Sequence, residues 1–377
     1  MTTNIIRAIA VLLSLATFAR AGAIERTAVF TSGADGYHTY RIPSVIVTKS
    51  GALLAFAEGR KTGGGDSGDI DLLLKRSTDG GKTFGAQQIV WNDADNTCGN
   101  PCPVVDQKTG RILLLMTHNL GSDTEKTIKL RTARGTRTVW LTTSDDDGLT
   151  WSKPREISRE VKRPEWTWYA TGPGVGIQLT HGGADGAGDH AGRLVIPCDY
   201  VAGPEGANGN SHVIYSDDAG LSWHIGGEPP KKEFNESQVV ELSDGRLMLN
   251  MRNHRPALTP TTPRQRGVAI STDGGITFQE ARRDPALVEP ICQASILRFD
   301  EKRILFANPA SEKREKMTVR VSEDDGATWK SSTEIYAGPS AYSCLVALPD
   351  ETVGLLYECG TKKAYERIEL ARFKLTD

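Results

Sequence analysis

The sequence has little of what would place it in several protein classes. The formal net charge is only -2, with acidic and basic residues interspersed, so it carries neither a basic stripe for nucleic acid nor an acidic tail. Six cysteines among 377 residues are too few for a disulfide framework. Beyond the N-terminus, no apolar run approaches the ~20 residues that span a bilayer. We therefore expect no nucleic-acid partner and no membrane insertion.

The N-terminus predicts export. Arg7 supplies a positive region, residues 8–18 form an apolar run, and small residues around Ala21 offer a cleavage site. The apolar run is too short to span a bilayer, which favours a signal peptide over a membrane anchor. We expect residues 1–23 to be removed and residues 24–377 to form one secreted or periplasmic domain.

Two of the cysteines, Cys98 and Cys102, are spaced loosely like metal ligands. No second pair of cysteines or histidines accompanies them, so a local disulfide or buried thiols are favoured over zinc. We expect no metal and no other cofactor.

One eight-residue pattern, SxDxGx(T/S)(W/F), recurs five times along the chain. Its chemistry is that of a tight turn, in which the aspartate caps backbone N–H groups, the glycine takes a positive φ and the aromatic residue packs inward. We therefore interpret the aspartates as structural. The five boxes are Ser77–Phe84, Ser144–Trp151, Ser216–Trp223, Ser271–Phe278 and Ser322–Trp329.

A second repeat is a hairpin of two apolar strands, which precedes each box and has a sixth copy near the C-terminus. Six hairpins predict an all-β fold, a six-bladed β-propeller of four-stranded antiparallel blades. Residues 27–30 are expected to supply the last strand and so leave no exposed edge. The hairpins read SVIV/ALLAFAE, PVV/RILLLMT, VGIQL/RLVIPC, QVVEL/RLMLNM, SILRF/RILFAN and CLVAL/TVGLLYE.

In such meanders, alternate turns lie on opposite faces. The boxes fall on one face, and a group of polar residues unusual for strand ends falls on the other. Since propellers bind ligands around the mouth of the central axis, these residues predict the site. They are Arg41, Asp66, Glu236, Arg252, Arg320 and Tyr342.

The residue types in this group suit one kind of substrate. Three arginines, Arg41, Arg252 and Arg320, would hold a carboxylate with several forked donors. A carboxylate on the reacting carbon would repel an anionic nucleophile, so Tyr342 is the better nucleophile, with a neighbouring carboxylate to take its proton. That base would be Glu236, and Asp66 would serve as general acid and then base.

Over nearly the whole mature chain, these residues resemble the bacterial and animal exo-sialidases. Tyr40-Arg41-Ile42-Pro43 is similar to the YRIP motif of that family, and the five boxes are similar to its Asp-box series. The resemblance implies that Arg41, Arg252 in the segment LNMR, and Arg320 ahead of a box bind the carboxylate of sialic acid.

The resemblance also implies the acid/base residue. Asp66 follows Arg60 by six residues, a spacing similar to that of the family, and lies in a predicted loop. Asp69 and Asp71 are competitors; Asp71 already alternates into a strand, whereas Asp69 stays possible.

Further roles follow from the same resemblance. Glu358 would orient the first arginine, while Arg60 and Asn100 would line the pocket for the 4-hydroxyl and N-acetyl groups. Asn100 has an alternative role as a turn cap. The aromatic residues of the segment Glu165–Tyr169 are either blade core or a glycan platform.

The expected function is exo-α-sialidase activity, the removal of terminal α-linked sialic acid from sialylated glycans by a retaining mechanism with a tyrosine nucleophile. Two alternatives stay open. A trans-sialidase would transfer the sugar to another glycan instead of water, and an Asp-box propeller without catalysis would only bind glycans.

Overall fold

The computed structural model describes residues 23–181, 190–203, 208–254 and 264–375, whose regular secondary structure is almost entirely β-strand. The predicted signal peptide lies outside the described residues except for Ala23, and so does most of the Gly-rich segment 181–192. None of the helices in the described ranges is long and apolar enough to cross a membrane.

Short strands joined by turns make up the first half of the chain. They are β1 Glu25–Thr31, β2 Thr39–Val47, β3 Leu53–Arg60, β4 Ile70–Ser77, β5 Gln88–Trp91, β6 Thr97–Val105, β7 Ile112–Asn119, β8 Thr138–Ser144, β9 Arg155–Glu156, β10 Trp166–Thr171, β11 Ile177–Gln178 and β12 Leu194–Ala202. Two short helices interrupt them, α1 Glu125–Lys129 and α2 Ser158–Val161.

The second half continues in the same way and ends in a long strand and a hairpin. Its strands are β13 Asn208–Ser216, β14 His224–Ile225, β15 Phe234–Glu241, β16 Leu247–Asn253, β17 Gln265–Ser271, β18 Arg282–Val288, β19 Ser295–Arg298, β20 Ile304–Pro309, β21 Glu315–Ser322, β22 Ser331–Leu348, β23 Thr352–Cys359 and β24 Arg367–Lys374.

Successive strands pair as antiparallel meanders. The hydrogen-bonded orders are β2-β3-β4-β5, β6-β7-β8-β9, β10-β12-β13-β14, β15-β16-β17-β18 and β19-β20-β21-β22. Strand β22 is long enough to serve twice, because its second half continues into the order β22-β23-β24-β1. The all-β class predicted from the repeats is confirmed.

The third hairpin differs from the prediction. Of the predicted strand VGIQL, only Ile177–Gln178 pairs with β12, and β10 is the main partner instead. The intervening segment has the sequence GPGVG, in which Gly172 (φ 66°) and Gly174 (φ 131°) take backbone conformations unsuited to a continuing strand. These glycines therefore end the strand before VGIQL, and the first strand of this meander lies nearer the N-terminus than predicted.

The N-terminal strand completes the last meander, as predicted. β1 pairs antiparallel with β24, with Thr27 opposite Leu370 and Phe30 opposite Ile368. Phe30 is fully buried, and its ring lies 5.2 Å from that of Tyr40 in β2. The edge of β24 is thereby covered by a strand from the other end of the chain.

The five boxes are turns between the third and fourth strands of their meanders. In the first box, the Ser77 hydroxyl donates to Asp79 Oδ1 (2.7 Å), which also accepts from the Thr83 N–H (3.0 Å). The Gly81 N–H donates to Ser77 Oγ (2.8 Å). Equivalent bonds form in the other four boxes. The structural role predicted for the aspartates is confirmed.

All six cysteines are buried thiols without a disulfide. Cys102 and Cys198 belong to one core cluster, which packs the second meander against the third. Burial raises the pKa of Cys102 well above its usual value. Of the alternatives considered for Cys98 and Cys102, the structure shows buried thiols.

Candidate active site

A cavity of about 200 Å³ opens at the strand ends opposite the boxes. In the first meander, for example, Leu53 pairs with Ser77 at the box end, whereas Arg60 pairs with Ile70 at the cavity end. The lining is mostly charged or polar and consists of Arg41, Ile42, Glu58, Arg60, Asp66, Asn100, Glu125, Arg137, Trp168, Ala170, Asp199, Asn235, Glu236, Arg252, His254, Arg314 and Tyr342.

Irregularities in the innermost strands position several of these side chains. A register shift interrupts β2 after Arg41, β6 around Asn100, β15 around Glu236 and β22 around Tyr342. Such bulges turn a side chain away from the regular alternation of a strand. Four strands of ordinary β sequence thus present polar side chains to one cavity while their other residues stay in the core.

Tyr342 and Glu236 form the buried centre of the site. The Tyr342 hydroxyl donates to Glu236 Oε1 (2.5 Å), and the two residues are only 6% and 9% exposed. Burial and the charge of Glu236 raise the pKa of Tyr342 well above its usual value. Burial would raise the pKa of Glu236, but Arg252 and the Tyr342 hydrogen bond outweigh it and lower that pKa. The resting pair is a neutral phenol beside an ionised carboxylate.

Three arginines surround the Tyr342 side chain. Arg252 Nη1 donates to Glu236 Oε2 and to the Tyr342 hydroxyl (3.1 Å). The guanidinium carbons of Arg41 and Arg314 lie 4.9 Å and 5.7 Å from the centre of the Tyr342 ring. Arg314 also donates to the hydroxyl of Tyr365 (2.5 Å). The cavity therefore carries three converging cations.

The third arginine is Arg314, and the prediction of Arg320 is wrong. Arg320 does not line the cavity; it donates to Asn308 Oδ1 (2.9 Å) near the box end of β21. Arg314 directly precedes β21 at the cavity end. Six residues at ~3.3 Å each separate the two arginines by about 20 Å along the strand, too far for both to reach one ligand.

Glu358 holds Arg41 in place, as the family resemblance implied. It is fully buried and accepts from Arg41 Nε (2.8 Å), the Ile42 N–H (2.9 Å) and the Tyr342 N–H (3.1 Å). One carboxylate therefore fixes the first arginine and the backbone of the tyrosine together.

Of the candidate acids, Asp66 is the one at the cavity. Its Oδ1 lies 2.8 Å from Arg60 Nη1 and 3.8 Å from Arg41 Nη1. Asp69 instead pairs with Lys61 (3.1 Å), and Asp71 accepts from the Tyr37 hydroxyl (2.5 Å). Partial desolvation by the surrounding groups would raise the pKa of Asp66, whose side chain is 62% exposed, but the charges of Arg60 and Arg41 lower that pKa.

Arg60 and Asn100 both line the cavity, and a buried glutamate holds them. Glu58 accepts from Arg60 Nη2 (2.6 Å) and from the Asn100 N–H (2.9 Å). The Asn100 side-chain oxygen accepts from Arg137 Nη2 (2.5 Å) and from Thr117 (3.2 Å), so Asn100 is not a turn cap. Its amide nitrogen is what it can offer to a ligand.

The aromatic segment divides between the two roles that were considered. Trp166 and Tyr169 are buried in the core cluster, and the Trp166 ring stacks on Tyr200 at 3.9 Å. Trp168 lines the cavity and lies 4.2 Å below the guanidinium of Arg137. A register shift between Trp166 and Trp168 interrupts the alternation of β10, so the two rings end on different faces.

Sequence reasoning missed Glu58, Arg137, Asp199 and Arg314. The alternation of turns between the two faces could have identified Arg314, since this residue directly precedes β21, the third strand of its meander, and so lies at the cavity face. Asp199 carried no signal, because it lies in the middle of an apolar run. Burial and the charge of Glu236 raise the pKa of Asp199 well above its usual value.

One wall of the cavity contains buried polar atoms without a hydrogen-bond partner among the described residues. They are Asp199 Oδ1, Asn235 Oδ1, Arg252 Nε and His254 Nδ1. Unpaired buried polar groups are costly, which makes this wall suited to a ligand rich in hydroxyl groups.

An arginine group, a buried Tyr–Glu pair and a second carboxylate thus meet in one cavity on an all-β, propeller-like scaffold. Residues 51–357 match the family described as a BNR repeat-like domain. The chain belongs to the sialidase family.

Comparisons with known proteins agree. A sialidase of Micromonospora viridifaciens is 37% identical, with 90% of this chain and 53% of that protein covered. An exo-alpha-sialidase of Arthroderma benhamiae is 32% identical, covering 90% of this chain and 84% of that protein. The solved Hadza microbial sialidase Hz136 is 31% identical, with a TM-score of 0.80 over 93% of this chain and 68% of that chain. The chain thus spans about half the length of the Micromonospora relative.

Proposed function

We propose that this protein is an exo-α-sialidase, which hydrolyses terminal α-linked sialic acid from glycans with retention of configuration and with Tyr342 as the nucleophile. The observation that carries the proposal is the buried hydrogen bond between Tyr342 and Glu236 in the midst of Arg41, Arg252 and Arg314.

The arginines suit a sugar that has a carboxylate on its reacting carbon. Three guanidinium groups offer forked donors to both carboxylate oxygens and balance its charge. That carboxylate would repel an aspartate or glutamate nucleophile. A neutral phenol avoids the repulsion and becomes nucleophilic only as its proton leaves.

The residues then have defined steps. Tyr342 Oη bonds to the anomeric carbon as Glu236 takes the phenolic proton, and the leaving oxygen receives a proton from Asp66. In the second step, Asp66 removes a proton from water, whose oxygen attacks the anomeric carbon. The bond to Tyr342 breaks, and the phenol recovers its proton from Glu236.

Asp66 must be protonated for the first step, although Arg60 and Arg41 lower its pKa. A bound carboxylate would neutralise part of this positive charge and thus raise the pKa of Asp66. Binding of the right substrate would therefore prepare the acid. Asp66 lies in the loop between β3 and β4 with 62% of its side chain exposed, where a leaving group can meet it.

Two wider features belong to the proposal. We interpret the meanders as six blades of a propeller, since the first strand β2 contacts both β6 and β22, as closure of a ring requires.

We also propose export with loss of residues 1–23. N-terminal sequencing of protein recovered outside the cytoplasm should then begin near Ile24, and an intact Met1 there would contradict export.

The test is incubation of the purified protein with a fluorogenic α-sialoside, with and without lactose as an acceptor. Release of the fluorophore and of free sialic acid is expected. Sialyl-lactose as the main product would indicate a trans-sialidase. Binding of an unsaturated sialic acid analogue without any release would indicate a glycan-binding module.

A further inference from the structure

A second, strongly basic groove lies beside the cavity. It has a volume of about 530 Å³ and runs between α1, α2 and the segment that leads into β8. Four arginines and one lysine line it, together with small polar residues. The arginines are Arg131, Arg134, Arg159 and Arg163, whereas burial and the charge of Arg137 lower the pKa of the lysine, Lys162, to about 7.

These arginines are not neutralised by the protein. In the described part of the chain, none of the four arginines lies within 4.0 Å of a carboxylate oxygen. Two nearby acids are engaged elsewhere, because Glu125 pairs with Lys129 and Glu160 with Arg155 (2.6 Å). Glu165 offers Arg131 only its backbone carbonyl (2.9 Å). Such a concentration of unpaired charge is unusual in a chain of net charge -2.

The groove and the cavity share a wall. Arg137 and Trp168 face the cavity, whereas their chain neighbours Thr136 and Thr167 line the groove. Lys162 Nζ joins both segments, donating to the Arg137 carbonyl (2.6 Å) and the Thr167 carbonyl (3.1 Å). Neighbouring residues of the same two segments thus line the cavity and the groove.

We propose that this groove binds a second anionic group carried by the glycan whose terminal sugar occupies the cavity, so that the preferred substrates are multiply charged. The inference rests on the proposed function. Carboxylates and sulfate esters share the geometry that arginine forks recognise, and both occur as glycan substituents. The guanidinium of Arg163 lies 5.4 Å from the centre of the Trp166 ring.

The position of the groove favours a glycan over a nucleic acid. A nucleic acid needs a long basic track, whereas this cluster is local and shares a wall with a sugar-sized cavity. Since each exposed charge contact contributes little, about fivefold or less in affinity, the arginines must be tested together.

The test compares the double variant Arg159→Gln/Arg163→Gln with wild type and with the matched control Arg111→Gln. Arg111 is an exposed arginine that pairs with Asp145 on a box turn. Three substrates are used: a fluorogenic monosialoside, an oligosaccharide with two linked sialic acids, and a sialoside with a sulfate ester. Each is assayed for KM and kcat at low and high salt.

We expect the double variant to raise KM roughly tenfold for at least one multiply charged substrate at low salt, with kcat unchanged and the monosialoside unaffected. High salt should remove the difference, because it screens exposed charges. The disialyl and sulfated substrates distinguish a carboxylate from a sulfate ligand. Equal KM values for wild type and the double variant on both substrates, or an equal loss with Arg111→Gln, would overturn the proposal.

Failure of the proposed function can be distinguished from failure of the groove proposal. Titration calorimetry with the disialyl and sulfated oligosaccharides, and with single-stranded DNA of equal charge, reports binding even if no substrate is cleaved. Weaker oligosaccharide binding by the double variant alone supports the groove. Tighter binding of the DNA would instead contradict the glycan assignment.

Discussion

Replacing Tyr342 with phenylalanine separates a covalent mechanism from binding alone. The ring and its contacts with Arg41 and Arg314, 4.9 Å and 5.7 Å from its centre, remain in the variant. Only the oxygen that must bond to the anomeric carbon is lost. The Glu236 carboxylate keeps its partner Arg252, so no unpaired buried charge is created.

The expected magnitudes follow from these contacts. Loss of the two hydrogen bonds of the hydroxyl should cost about 1 kcal/mol each in the free energy of unfolding, which leaves the fold intact. Turnover should fall about a hundredfold or more, equivalent to roughly 2.7 kcal/mol in the activation barrier. The dissociation constant of an unsaturated sialic acid analogue should change little.

Tyr365→Phe is the matched control. The Tyr365 ring also lies below Arg41, at 4.3 Å, and its hydroxyl accepts from Arg314. Since that hydroxyl only positions an arginine, its removal should raise KM and leave kcat nearly unchanged. Steady-state kinetics of both variants, with calorimetry of the analogue, give the comparison. Near-wild-type kcat in Tyr342→Phe, or an equal loss of kcat in Tyr365→Phe, would refute the nucleophile assignment.

Three further predictions concern residues around the tyrosine. Glu358→Ala should lower the free energy of unfolding by about 3–5 kcal/mol, measured by denaturant titration, because it leaves the buried Arg41 charge without its partner. Glu358→Gln should lower the free energy of unfolding by a smaller amount. Glu236 has a lowered pKa, so its stabilising contribution is present above its unfolded pKa of about 4.3 and is lost as the pH falls through the folded value. The melting-temperature difference between wild type and Glu236→Gln should accordingly shrink below about pH 4, and a difference independent of pH would argue against an ionised Glu236. Arg314→Ala should weaken binding of the unsaturated analogue about tenfold or more, whereas Arg320→Ala should leave it unchanged; the reverse order would restore Arg320 to the site.

Much of the protein follows from local sequence. The boxes are short-range hydrogen-bonding units, so Ser77, Asp79 and their repeats predict the turns without any knowledge of the rest of the chain. Hairpins of apolar strands predict the all-β class, and strand parity predicts which ends of the strands meet. Arg41, Glu236, Arg252 and other polar residues at strand ends could be found in this way.

Only the tertiary structure decided contacts between distant segments. Arg314 lies in the charged segment EKREK and Arg320 between two valines, and the course of β21 brings Arg314, but not Arg320, to the cavity. The split of Trp166 from Trp168 depends on the register of β10 against β12.

The same limit applies to charge. Arg131–Arg134 and Arg159–Arg163 look like ordinary exposed segments of a nearly neutral chain, and they form one basic groove only because α1 and α2 fold beside the same wall. Packing brings side chains that are far apart in the sequence into one groove, and composition and local sequence pattern do not predict this proximity.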